Sequence, residues 1–153
     1  AQTFGMVLWD ECFNQVASEY KDVHSSFLLV DAAAMDLVRK PEHFDVMVAS
    51  NLFGDILTDL AAIVTGTIGL ASSANINPSK TFPSMFEPVH GSAPDIVGTG
   101  KANPVAAILS AALMLDFLGE NAAAERVRGA CEPAVTGTTV EIGNAIAARL
   151  ASK

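Results

Sequence analysis

The sequence predicts an α/β protein, because short apolar runs alternate with helical segments in its first half and a nearly all-apolar helix dominates its second. Phe27-Leu28-Leu29-Val30 and Phe44-Asp45-Val46-Met47-Val48-Ala49 are the strand-like runs. Each leads into a helical segment. Strand, helix, strand, helix predicts a parallel βαβ unit, and hence a parallel or mixed sheet flanked by helices.

From Met6 to Tyr20, Val7, Leu8, Cys12, Phe13 and Val16 recur near helical spacing with Asp10 and Glu11 between them, the pattern of an amphipathic helix. Asp31 can cap the helix that follows the first apolar run, and Pro41 stops it. The second run passes through Ser50-Asn51 into another helix. Thr65 to Ser84 is rich in Gly, Ser, Thr, Asn and Pro and predicts a loop with one short strand at most. Asn103-Pro104 then opens an apolar helix that runs to Leu118 and ends at Gly119. A helix around Ala122 to Ala130 follows, and Thr138-x-x-Glu141 is a capping box for the last one.

The chain has 153 residues, half of them hydrophobic, enough for one sizeable core. A formal charge of −8 disfavours nucleic acid and anionic membranes as partners, leaving small-molecule chemistry as the better expectation. Cys12 and Cys131 are far apart and in no C-x-x-C pattern, so neither a disulfide scaffold nor a zinc site is indicated, and a cytoplasmic protein is expected. The apolar stretch Val105 to Leu115 is broken by Ser110 and is too short for a membrane span. The start Ala1-Gln2-Thr3 carries no targeting signal and no initiator Met, and a piece of a longer protein is expected.

Two sets of residues carry candidate chemistry. Asp55 and Asp59, four residues apart, fall on one helical face, with Phe53, Leu57, Leu60 and Val64 opposite. Like charges at this spacing repel, and a hard divalent cation such as magnesium or manganese would remove the repulsion, with Asp31 as a third oxygen ligand. The same residues also fit a solvated helix face and a helix cap. The second set lies in Phe86-Glu87-Pro88-Val89-His90-Gly91-Ser92-Ala93-Pro94-Asp95, followed by Ile96 to Pro104. Small residues allow close approach to the backbone, and the Asp95 carboxylate can accept from both hydroxyls of a diol. This stretch fits half of a cofactor site, or a Pro/Gly loop with a local Asp turn. Gly98-x-Gly100-x-x-Asn103 only partly matches a dinucleotide fingerprint, and Gly100-Lys101-Ala102 fails as a P-loop. His24 and His43 fit surface positions, and the five methionines fit core packing.

Val30-Asp31-Ala32-Ala33-Ala34-Met35, Asn51 to Leu60, Glu87 to Ile96 and Ala102-Asn103-Pro104 resemble, in order, motifs of the isocitrate and isopropylmalate dehydrogenase family of decarboxylating dehydrogenases. Phe4 to Glu11, Ala49-Ser50-Asn51 and Phe82 to Phe86 look closest to its tartrate/D-malate branch, with isopropylmalate as the alternative substrate. The resemblance implies the C-terminal part of an isopropylmalate-dehydrogenase-like fold. Residues 1–66 would belong to a dimer-forming, metal-binding domain and residues 67–153 to a cofactor-binding domain.

It further implies oxidation of a 2-hydroxy acid by NAD with a bound Mg2+ or Mn2+. Asp31, Asp55 and Asp59 would hold the metal, and a homodimer would bring Asp31 to the other subunit's site. His90, Gly91, Ser92, Ala93, Asp95, Ile96 and Asn103 would surround the adenosine half of NAD, with Gly69 and Ser73 near its other end. Asp95 would favour NAD, since its carboxylate repels a 2′-phosphate. The family's catalytic Lys and Tyr and its substrate-binding Arg residues lie upstream of the matched motifs, so the isolated chain is expected to be inactive. A non-catalytic regulatory subunit of the same fold, or a purely structural domain, are the other readings.

Overall fold

A computed structural model describes residues 4–66 and 68–152. Ala1-Gln2-Thr3, read above for targeting signals, and Thr67, which opens the second expected domain, lie outside them. The chain forms two compact units, one up to Ala33 and one from Ala34 onward.

The first unit contains helix α1 (Val7–Glu19), a turn closed by Val23 N–H donating to the Tyr20 carbonyl at 3.1 Å, and an irregular stretch entering α2 (Val30–Arg39). On α1 the half-buried stripe is Met6, Trp9, Phe13 and Ala17, at helical spacing. Of the apolar residues singled out from sequence, Phe13 lies on this stripe, whereas Val7, Leu8, Cys12 and Val16 are exposed. Apolar residues lie on both sides of this helix, so periodicity alone could not choose the side that packs. Asp10 presents one buried carboxylate oxygen that finds no hydrogen-bond partner among the described residues.

The predicted βαβ unit does not form among the described residues. Phe27 to Leu29 and Val46 to Ala49 form no strand, although they flank helices as expected. A strand is defined by a hydrogen-bonding neighbour, and neither run has one among the described residues. Their side chains accordingly stand in solvent: Phe27 is 62% and Val46 91% exposed. Asp31 sits inside the first turn of α2 rather than before it, where its Oδ1 accepts from the Ala32 N–H at 2.9 Å. The helix stops at Arg39, ahead of Pro41, as the proline requires.

In the second unit, α3 (Asn51–Thr65) ends at Gly66, and a 3-10 turn (Ile68–Leu70) leads to strand β1 (Ser72–Asn75). Strand β2 (Met85–Pro88) pairs with β1 antiparallel, with Ser73 opposite Glu87 and Asn75 opposite Met85. This hairpin is the sheet of the described residues. The loop between the strands is ordered by Asn77, whose N–H donates to Ser84 Oγ (3.0 Å) and whose Oδ1 accepts from Ser79 Oγ (2.7 Å). Lys80 closes it onto α4 (Val105–Leu118): its Nζ donates to the Phe117 carbonyl at 3.1 Å and lies 4.8 Å from the Phe117 ring centre.

Helix α4 packs against β1, β2 and α5 (Asn121–Cys131). Buried Ala106, Ser110 and Ala112 allow close approach, and the Ser110 hydroxyl is satisfied by the Ala106 carbonyl at 2.9 Å. It ends at left-handed Gly119 (φ 88°), with Gly119 N–H bonded to the Asp116 carbonyl and Glu120 N–H to that of Leu115, a Schellman closure. The core joins Val105, Ala130, Cys131, Ile142 and Ile146, the last two from α6 (Thr139–Ala151). Arg126 of α5 donates to the Leu150 carbonyl and Arg149 of α6 to the Ala130 carbonyl, so each helix places a cation on the other's C-terminal end.

Candidate cofactor loop and acidic helix face

The residues from His90 to Asn103 connect β2 to α4, and the hairpin fixes where they begin. Val89 N–H donates to the Ala71 carbonyl at 3.1 Å, extending the β1–β2 pairing by one bond. Ser73 lies in β1 opposite Glu87, while Gly69 lies in the 3-10 turn that precedes the strand. Alternation along the strands puts Ser73, Asn75, Met85 and Glu87 on one face, while Phe86 on the other meets Phe117 with ring centres 5.7 Å apart. Nothing local to the motif assigns Glu87 a role. Its exposed carboxylate opposite Ser73 becomes visible only once the register is known.

The loop is a chain of tight turns. His90 is half-buried, and its Nδ1 lies 3.0 Å from the Gly91 carbonyl, a hydrogen bond in the Nδ1–H tautomer. Ala93 adopts left-handed backbone (φ 43°), a conformation that costs a non-glycine residue about 1 kcal/mol. It sets up the 3-10 turn Pro94–Ile96, closed by Ile96 N–H donating to the Ala93 carbonyl at 3.1 Å. Asp95 sits in this turn with its side chain exposed, beside half-buried Ile96. Gly98 (φ 75°) and Gly100 (φ 68°) carry the chain onward in backbone that side-chain-bearing residues rarely adopt. A β-carbon built on Gly91 or Gly98 would meet nothing within 4 Å, so the loop presents an open, small-residue surface. The Asp95 carboxylate is paired with no basic side chain among the described residues, leaving both oxygens to accept from a diol such as a ribose.

At the loop's end Asn103 Oδ1 accepts from the Val105 N–H at 3.0 Å; the helix begins one residue later than the sequence predicts, with Pro104 in the N-cap place and Asn103 satisfying the first N–H from outside it. A contact that sequence reasoning did not foresee pins the preceding residues. Thr139 at the start of α6 donates its N–H to the Gly100 carbonyl (2.8 Å) and its hydroxyl to the Ala102 carbonyl (2.5 Å). The neighbouring capping box is complete, with Thr138 N–H donating to Glu141 Oε2 at 2.8 Å and Glu141 N–H to Thr138 Oγ1 at 3.3 Å. The Thr138 N–H, and after it the Thr138 hydroxyl that also donates to Oε2 at 2.8 Å, hold the Glu141 carboxyl below the usual carboxylate range.

On α3, Asp55 and Asp59 are both exposed one helical turn apart. Leu57 and Ala62 are buried, and Phe53 and Leu60 half-buried, which confirms the division of the helix read from sequence; Val64, expected with them, is exposed. No basic side chain pairs with Asp55 or Asp59 among the described residues. Two unpaired hard-oxygen donors on one face fit a magnesium- or manganese-type cation. No three His, Cys, Asp or Glu side chains converge among the described residues, so a carboxylate set of three is not assembled within the described chain. Among those residues no helix is long and apolar enough to cross a membrane.

Residues 3–146 match the isocitrate/isopropylmalate dehydrogenase family. The chain is 57% identical to a 3-isopropylmalate dehydrogenase of Streptomyces griseus, over 95% of this chain and 44% of that protein. It is 50% identical to one of Thermobifida fusca, over 99% of this chain and 45% of that protein. Among solved structures, isocitrate dehydrogenase from Methylococcus capsulatus superposes with a TM-score of 0.82 at 40% identity, covering 94% of this chain and 45% of that one. A β-decarboxylating dehydrogenase from Thermococcus kodakarensis gives 0.74 at 34% identity, covering 96% and 47%. The chain thus spans less than half the length of these relatives. These two curated relatives carry the isopropylmalate name, the alternative in the sequence reading, and the tartrate/D-malate placement gains no support from them.

Proposed function

The chain belongs to the isocitrate/isopropylmalate dehydrogenase family, and on that premise we propose that it is the metal- and cofactor-binding part of an NAD-linked, decarboxylating 3-isopropylmalate dehydrogenase. The observation that carries this reading is the Gly91–Asn103 loop, which presents the Asp95 carboxylate in an open turn of small residues between β2 and α4. Residues up to Gly66 would form part of the dimer-forming domain, and the remainder part of the cofactor domain.

Asp95 accepts from both ribose hydroxyls, and its charge opposes a 2′-phosphate, selecting NAD. Ile96 offers apolar surface to adenine, while His90, Gly91, Ser92, Ala93 and Asn103 shape the loop against the adenosine half. Gly69 and Ser73 approach the other end of the cofactor. Bound NAD supplies the hydride acceptor. Asp55 and Asp59 hold a divalent cation together with Asp31 of the partner subunit, and this cation supplies Lewis acidity toward a hydroxyl and its neighbouring carboxylate. Exposed apolar side chains on α2 (Met35, Val38) and α3 (Leu52, Ile56, Ile63) support the homodimer, because a lone chain leaves them in water. Proton transfer and recognition of the substrate's distal group are left to residues outside this sequence.

A chimera tests this reading. The matching C-terminal segment of the Streptomyces griseus relative is replaced by this chain, and NADH formation is followed with 3-isopropylmalate, D-malate and tartrate. Turnover of 3-isopropylmalate that requires Mg2+ or Mn2+ is expected. A folded chimera without turnover of any of the three would favour a regulatory subunit.

A further inference from the structure

The geometry points to Thr139 as a positioning residue that latches the cofactor loop and so sets the affinity for the adenosine half of the cofactor. This inference rests on the assignment of that loop to adenosine in the proposed function.

Between Ala93 and Asn103 the backbone takes three positive-φ positions, at Ala93, Gly98 and Gly100, two of them glycines with wide conformational freedom. Among the described residues, local bonds order the first part of the loop. Ile96 N–H donates to the Ala93 carbonyl, and Thr99 donates through both N–H (3.1 Å) and hydroxyl (2.7 Å) to the Ile96 carbonyl. These bonds shape the turn around Asp95 without fixing it relative to the rest of the unit. Two longer-range bonds do so at its far end, from Thr139 N–H to Gly100 and from Thr139 Oγ1 to Ala102, spanning 37 residues in the second case. Asn103, bonded to Val105 N–H, then ties the chain to α4.

The donor end of the latch is itself rigid. The capping box locks the backbone at Thr138, and α6 is anchored in the core by buried Ile142 and Ile146. A loop held in its binding conformation before the ligand arrives loses less conformational entropy on binding. Without the latch, the glycine-bearing segment samples alternatives, and binding must select the competent one. Thr139 touches no ligand in this account; it acts through Gly100 and Ala102.

The test is calorimetric titration of the 153-residue chain with ADP-ribose, which carries the adenosine, pyrophosphate and ribose groups without the redox ring. Four proteins are compared: unsubstituted, Asp95→Ala, Thr139→Val and Thr139→Ser. Thr139→Val keeps the branched shape but removes the hydroxyl, and the Ala102 carbonyl, exposed, turns to water. It is expected to weaken ADP-ribose about fivefold, the equivalent of one neutral hydrogen bond. Thr139→Ser is expected to restore affinity to within about twofold. Asp95→Ala is expected to weaken binding about tenfold or more, because its hydrogen bonds are charge-assisted. If Asp95→Ala weakens binding and Thr139→Val does not, or if the serine is as weak as the valine, the latch is refuted while the adenosine assignment stands. If the unsubstituted chain does not bind, or Asp95→Ala binds equally well, the adenosine assignment itself fails and the latch with it.

Discussion

Replacing Asp55 with Asn separates the stability of α3 from its proposed cation binding. Asp55 is exposed, and among the described residues its carboxylate has no ion-pair partner, so its removal breaks no contact there. The same charge on Asp59 one turn away repels it, and relief of that repulsion contributes about 0.2–0.5 kcal/mol. Asp55 lies just past the first turn of α3, where a residual attraction to the helix dipole of about 0.3 kcal/mol acts in the opposite sense. The net change is within about 0.5 kcal/mol of zero, and the melting temperature should move by no more than about 2 °C. A cation bound to the folded state at a hundred times its dissociation constant adds about 2.7 kcal/mol, or about 5–10 °C. Thermal unfolding followed by circular dichroism, with and without Mn2+, reads both quantities. The unsubstituted chain should be stabilised by the ion and Asp55→Asn should not. An equal Mn2+ shift in both proteins, or a loss of more than about 1 kcal/mol in the metal-free variant, would refute the reasoning.

Three further outcomes are expected. Thr138→Ala removes the side-chain half of the α6 capping box and should cost about 1 kcal/mol in thermal melts at neutral pH. Hydrogen bonds from Thr138 hold the Glu141 carboxyl below its ordinary range, so the contribution of this carboxylate is complete above the ordinary value and fades as pH falls through the depressed one. Melts repeated from about pH 7 down to about pH 3 should therefore show the gap between the two proteins narrowing in acid. Ile146→Ala empties the centre of the core, where Ile146 is 2% exposed, and should cost about 2–5 kcal/mol by denaturant unfolding. Burial pushes the Cys131 thiol up while Cys12 is exposed, so native alkylation should label one cysteine by mass spectrometry and the second only after unfolding.

What was legible in the sequence is what short-range chemistry decides. The helix ends at Gly119 and the capping box at Thr138 and Glu141 depend on residues within one turn of each other, and both are present as read. Asp55 and Asp59 share a face because helical spacing alone requires it. The α/β class and the family fold are legible in the sequence, but the strand-like runs at Phe27 and Phe44 form no strand among the described residues, because composition signals a preference for extended backbone and cannot supply the neighbouring strand. Met85–Pro88 was missed for the opposite reason: a strand ending in proline within a turn-rich stretch gives little local signal, yet pairing with Ser72–Asn75 makes it one. On α1, apolar residues on both faces hid the one that packs. The loop proposed to hold the cofactor stands out by its glycines and Asp95, whereas its anchor on Thr139 depends on a contact 37 residues away that no local pattern encodes.

The central claim is that Asp95 belongs to the adenosine end of an NAD site in a functioning dehydrogenase. Its most direct test is kcat/KM for NAD and NADP in the Streptomyces griseus chimera, measured with Asp95 intact and with Asp95→Ser. The intact chimera should reduce NAD in strong preference to NADP, and the substitution should lower that preference at least about tenfold, mainly through weaker use of NAD. A folded, active chimera whose cofactor preference is unchanged by Asp95→Ser would contradict the account.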